Sequence, residues 1–184
     1  MPLKTLVKVG GLTNLSDARY CAGMGVEMIG FQVIPGMPCF VAPEKYQEIR
    51  GWISGPSIVA EIYGIKDRAL ITKIIEGYKP DYFELGIDDL AITGNLSIPF
   101  ILALQTGQAL PMLSSLPTYV LSREKLSLPA GIRSMLEVSS GEEAINAIKG
   151  CNIAAIATSG SAEVRPGYKD YDELASILEA LEED

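Results

Sequence analysis

Eight short apolar runs, rich in β-branched and aromatic residues, recur along the chain at 6–9, 28–33, 57–63, 82–85, 99–104, 118–121, 134–138 and 153–157. Most are followed by a segment of helical period, and that alternation predicts a parallel sheet covered by helices, an α/β chain. Helix signals sit where the pattern needs them. Asn14 or Ser16 caps the first helix, and Gly23 and Gly25 end it. Pro43 opens a second over 44–52, and Asp67 starts a third that stops before Lys79-Pro80. Ser140 or Gly141 begins the seventh and Asp170 the last, with the acidic tail 179–184 expected as a frayed end. Between the sixth and seventh runs only residues 122–132 remain, too few for a loop, a full helix and a second loop. The sixth helix is therefore predicted to be absent or reduced to a turn.

Composition narrows the function classes. Net charge is −8, so a nucleic-acid or anionic-membrane partner has no electrostatic support. There is no histidine, and the three cysteines (Cys21, Cys39, Cys151) are widely spaced, which argues against a zinc site and against any metal or cofactor. Proton transfer falls to carboxylates, Cys, Tyr or Lys. The first residues lack an apolar signal run and no stretch approaches 18 apolar residues, so a reducing cytoplasm is the default expectation.

Lys8-Val9-Gly10-Gly11-Leu12-Thr13, together with Gly30-Phe31-Gln32-Val33 and Pro166-Gly167-Tyr168-Lys169-Asp170, resembles the motifs of phosphoribosylanthranilate isomerase, an enzyme of tryptophan biosynthesis. The resemblance spans nearly the whole chain. It implies a single-domain (β/α)8 TIM barrel over residues 1–184, with 23 residues for each of eight units. It also implies a phosphorylated small-molecule ligand, and it leaves the oligomeric state open. The family's chemical groups are missing at the matching positions. The general base, a Cys in the family, is Gly10 here, and the general acid, an Asp, is Ser122. A substrate-engaging Arg is Cys39, and a strand-end His is Gly86. Four such changes argue that the isomerisation has been abandoned or rebuilt.

The phosphate end resembles the family more closely. Ser139-Ser140-Gly141 and Thr158-Ser159-Gly160-Ser161 match its two phosphate loops, after the seventh and eighth strands. Small residues let backbone N–H groups approach an anion, and hydroxyls add donors. The expected phosphate contacts are Ser140, Gly141, Ser159, Gly160 and Ser161. Most Ser/Gly turns are only turns, so the match acquires weight from there being two.

Polar residues stand where a barrel interior is usually apolar. Lys8, Glu61, Glu84 and Glu137 occupy four strands, with Gln32 and Gln105 in or beside two more. Lys8 shares its face with Gly10. Any of these carboxylates that points inward is expected to pair with Lys8, because an unpaired buried charge costs several kcal/mol. A structural charge cluster is the favoured reading; a relocated acid–base set involving Lys8 or Glu84 is the other. Cys39 is a further candidate base, although no His is present to activate it. Cys21 and Cys151 read as small buried hydrophobes, and Trp52, Tyr20, Tyr46 and Tyr78 as residues packing on the barrel exterior. Three functions follow: a divergent relative that binds a phosphorylated molecule without the parent reaction, an active isomerase using substituted groups, or a non-catalytic interaction protein.

Overall fold

The computed structural model describes residues 2–183 apart from 95, 150–152, 160–162, 166, 167 and 170. Eight parallel strands pair in sequence order: β1 (Leu6–Gly10), β2 (Met28–Gln32), β3 (Ser57–Glu61), β4 (Tyr82–Gly86), β5 (Phe100–Ala103), β6 (Tyr119–Ser122), β7 (Arg133–Glu137) and β8 (Ala155–Ser159). The last returns to the first, from Leu6 beside Ala155 to Gly10 beside Ser159, and closes the barrel. Every predicted run overlaps its strand. Closure leaves no exposed sheet edge in the barrel.

Outside the barrel lie α1 (Leu15–Gly23), α2 (Pro43–Arg50), α3 (Ala69–Tyr78), the four-residue α4 (Leu90–Thr93), α5 (Gly141–Lys149) and α6 (Asp172–Ala180). A short antiparallel pair, β9 (Glu163–Arg165) and β10 (Tyr168–Lys169), precedes α6 in the chain. The start signals act as their chemistry requires. Asn14 Oδ1 accepts the Asp17 N–H at 2.9 Å, and Asp67 Oδ1 accepts the Ala69 N–H at 2.8 Å. Lys79, at φ 46°, ends α3 in the left-handed region just ahead of Pro80.

No helix lies between β6 and β7, as the spacing predicts. None lies between β5 and β6 either, where residues 104–118 form turns and loop. Gly107, Pro111 and Pro117 interrupt any helical run there. Leu110 and Leu113 from this loop, with Leu126 and Leu128 from the next, pack on the core in place of two helices.

Apolar packing falls in two layers. Alternate residues point outward under the helices, including Val7, Val9, Ile29, Phe31, Phe83 and Leu85. The inward set includes Met28, Val59, Ile101, Tyr119, Leu121 and Met135 and fills the barrel centre. Tyr46 and Tyr78 pack on the exterior as expected, their ring centroids 5.0 Å apart. Cys21 is buried in α1, and Cys151 lies outside the described residues. Two expectations fail. Trp52 is 71% exposed, because it follows α2 and no described element covers it. The acidic tail is pinned rather than frayed: Leu181 is fully buried, its carbonyl accepts the Lys4 N–H at 2.8 Å, and Glu183 donates its N–H to the Pro2 carbonyl.

Candidate functional site

The middle of β1, the end of β3 and the middle of β4 bring three charged side chains into the barrel. Lys8 and Glu84 are each 2% exposed and Glu61 is 6% exposed. Lys8 Nζ donates to Glu61 Oε1 at 3.0 Å and to Glu84 Oε1 at 2.8 Å. Glu84 Oε2 is also 2.7 Å from the ammonium, but at an angle that makes no hydrogen bond. The Tyr63 hydroxyl, just past β3, donates to Glu84 Oε1 at 2.8 Å. The Gly11 N–H donates to both oxygens of Glu61, at 3.1 and 3.2 Å.

One ammonium therefore serves two carboxylates, which are direct neighbours in the β3–β4 register. Burial by itself lowers the Lys8 pKa, but attraction to Glu61 and Glu84 outweighs it and holds the ammonium charged. Glu84 goes the other way. Its burial, helped by repulsion from Glu61, raises its pKa above the ordinary carboxylate range against the pull of Lys8. Burial, and then the Glu84 carboxylate, push the Tyr63 phenol upward, so it stays a neutral donor.

Two glycines make room for Glu61. A Cβ on Gly10 would stand 2.6 Å from Glu61 Oε1 and 2.8 Å from Lys8 Nζ. A Cβ on Gly30 would overlap the same carboxylate. With Glu61 in this place, neither position accepts a side chain. The carboxylate from β3 occupies the space that a residue at position 10 would otherwise use.

Above this floor opens a cavity of about 720 Å3, within the range of small-molecule sites. Its wall includes Tyr63, Gln105, Arg123, Glu137, Thr158 and Ser159. Asp89 braces one side, accepting the Gly64 N–H through Oδ1 and the Gly86 N–H through Oδ2, both at 3.0 Å. Arg123 reaches over the rim to Glu137, Nε to Oε2 at 3.0 Å. Both also line a smaller neighbouring cavity of about 290 Å3, with Lys125, Ser139 and Glu143. Among the described residues no group of three His, Cys, Asp or Glu side chains converges as a metal site.

This cavity lies at the face where barrels of this class place their ligands. A solved phosphoribosyl anthranilate isomerase, in complex with reduced 1-(o-carboxyphenylamino)-1-deoxyribulose 5-phosphate, superposes with a TM-score of 0.72 over 96% of this chain and 98% of that one, at 17% identity. In sequence, N-(5'-phosphoribosyl)anthranilate isomerase of Dechloromonas aromatica is 21% identical over 201 residues, covering 97% of each chain. The chain resembles the phosphoribosylanthranilate isomerases. Monomers generated from the dimeric phosphoribosylanthranilate isomerase of Thermotoga maritima give a TM-score of 0.74 at 18% identity, with 96% and 98% coverage. The isomerase of Xanthomonas euvesicatoria is 22% identical over 107 residues, which is 58% of this chain and 48% of that protein. No family model matches the chain. At such identities the likeness establishes the barrel.

Set beside the phosphoribosylanthranilate isomerase motifs, the expected site residues separate. Lys8, Gly10 and Glu84 meet on the cavity floor with Glu61. Glu137 does not join Lys8; it pairs with Arg123. Ser122, matched to the acid position, points away from the cavity. Leu121 and Arg123 on either side of it line the wall, whereas the Ser122 hydroxyl donates to the Glu124 carbonyl. Cys39 is exposed in the loop after β2, at φ 61°, and does not line the cavity.

The phosphate candidates also divide. Ser159 ends β8 at the cavity wall. Gly160 and Ser161 lie outside the described residues. Ser140 caps α5, its Oγ accepting the Glu143 N–H at 3.2 Å. Glu143 folds back to accept from the Ser139 N–H at 2.7 Å and the Ser139 hydroxyl at 2.9 Å, which holds its pKa below the ordinary carboxylate range. Gly141 is small for a packing reason: a Cβ there would meet Ser176 O and Oγ of α6 at 2.7 Å. Tyr63, Asp89 and Arg123 are cavity residues that the motif reading missed. Strand parity carried the signal for two of them, since Tyr63 continues the face of Glu61 and Arg123 that of Leu121.

Proposed function

We propose that this chain is a phosphoribosylanthranilate isomerase-like barrel that binds a phosphorylated small molecule at its mouth, and that the parent Amadori-type isomerisation has been lost or altered. The observation that carries the reading is the filling of position 10 by Glu61 and Lys8. No side chain at that position reaches the ligand, and the acid position, Ser122, faces away from the cavity. General acid and base groups each contribute about 10²–10⁴-fold. Removing both leaves little of a reaction that depends on them.

The phosphate is assigned to the rim beside β7 and β8. Lys125 supplies positive charge there beside the Arg123–Glu137 ion pair, and Ser139 and Ser159 supply hydroxyls. The similar isomerase solved with a phosphorylated ligand supports the ligand class. Lys8 is an unsuitable phosphate anchor, since two carboxylates already surround its ammonium. The test is genetic: a strain lacking the isomerase, supplied with this gene, is expected not to grow without tryptophan. Growth restored by the wild-type gene would show the parent reaction to be intact.

A further inference from the structure

In a (β/α)8 barrel a helix normally covers the outer face between two successive strands, and none lies between β6 and β7. The smaller cavity, of about 290 Å3, lies at that gap. Its floor is formed by Leu136 and Val138, which belong to the outer apolar layer, and by Ala147 of α5. Lys125, from the loop after β6, and the exposed Asn146 of α5 form its edges. The main cavity lies on the inner side of the same strand ends, and the two cavities share Arg123 and Glu137. These two side chains are the partition, an ion pair whose members are 67% and 33% exposed. A pair so exposed is weakly held, and it yields to a ligand lying across it. Charge sets a second condition. Arg123 is matched by Glu137, and Glu143 is held by the N–H and hydroxyl of Ser139, whereas Lys125 forms no ion pair among the described residues. One uncommitted ammonium therefore stands where the two cavities meet.

We propose that the ligand is a phosphodiester, with one ester group in the main cavity, its phosphate over the Arg123–Glu137 partition beside Lys125, and its second ester group in the groove left by the missing helix. The claim rests on the phosphate reading and adds the class of ester. A monoester ends at the partition and leaves the groove unfilled. It also carries a charge of about −1.5 to −2 at neutral pH, more than the Lys125 ammonium balances. A diester carries a single negative charge and continues on both sides of the phosphate. The apolar floor of Leu136, Val138 and Ala147 suits a second substituent with an apolar or aromatic face.

Isothermal titration with three matched probes tests this: the p-nitrophenyl ester of thymidine 5'-monophosphate, which is a phosphodiester, and its two monoester halves, thymidine 5'-monophosphate and p-nitrophenyl phosphate. The diester is expected to bind about tenfold more tightly than either half. Asn146→Trp fills the groove from an exposed position on α5, and its melting transition checks that the variant folds. This substitution is expected to abolish the advantage of the diester. A diester that binds no more tightly than its halves in the wild-type protein overturns the proposal and leaves the phosphate reading standing. An advantage that survives in folded Asn146→Trp overturns the groove as the seat of the second ester group. Absence of binding by all three probes overturns the phosphate reading and the diester with it.

Discussion

At the scale of single residues, Glu61 explains two glycines that are far apart in sequence. Gly10→Ala places a methyl group 2.6 Å from Glu61 Oε1 and is expected to destabilise the protein by about 1–3 kcal/mol. Glu61→Ala vacates that space, so the same substitution in the Glu61→Ala background is expected to cost far less. Equal penalties in a urea-denaturation double-mutant cycle would contradict the contact. Glu84 makes a pH prediction of definite sign. Its pKa in the folded protein is raised, so its stabilising contribution is complete below the ordinary Glu value of about 4.3 and is lost as pH rises through the raised value. As pH rises above the ordinary Glu value the wild-type protein should therefore lose more stability than Glu84→Gln does; parallel curves would count against the raised pKa. Strand alternation placed Lys8 inward with Gly10 and offered Glu61, Glu84 and Glu137 as its partners; which of the three join it depends on cross-strand register, which the sequence does not display. The reason for Gly10 was not legible either, because the carboxylate that fills its place comes from another strand, and sequence spacing does not encode that approach. The motif match drew attention to Ser122, where the family's acid is missing, whereas the alternation of Leu121, Ser122 and Arg123 points to Arg123 as the residue that lines the cavity.

At the scale of elements, the start of α5 combines capping with close packing. Ser140 and Glu143 satisfy N–H groups at its start, and Gly141 lets α6 approach. An anion at this end competes with the Glu143 carboxylate for the same donors. Glu143→Gln is accordingly expected to weaken the helix start slightly and to tighten binding of a phosphate ester such as ribose 5-phosphate. Unchanged or weaker affinity would place the phosphate elsewhere. Strand positions and most helix starts were readable because caps, prolines and period-2 runs are local signals. The missing helix between β6 and β7 was readable from length. The one between β5 and β6 was not, since residues 104–118 are numerous enough for a helix and only their Gly and Pro punctuation forbids it.

At the scale of the whole molecule, the barrel is fastened at one end and open at the other. The N-terminal segment pairs with the tail, Leu3 bridging to Glu182, at the end opposite the mouth. That contact joins residues about as far apart as the chain allows, which is why a polar tail read by itself looked free. The mouth keeps its cavity, and its floor is held by a network that spans β1, β3 and β4. A ligand that binds only the folded barrel raises its melting temperature. At a hundred times its Kd the stabilisation is about 2.7 kcal/mol, or about 5–10 °C for a domain of this size. The most direct measurement is the melting temperature of the wild-type protein in increasing ribose 5-phosphate, with ribose alone as the comparison. A saturable rise with the ester and none with the sugar is the predicted result; no rise, or the same rise with both, would contradict a phosphorylated ligand at the barrel mouth.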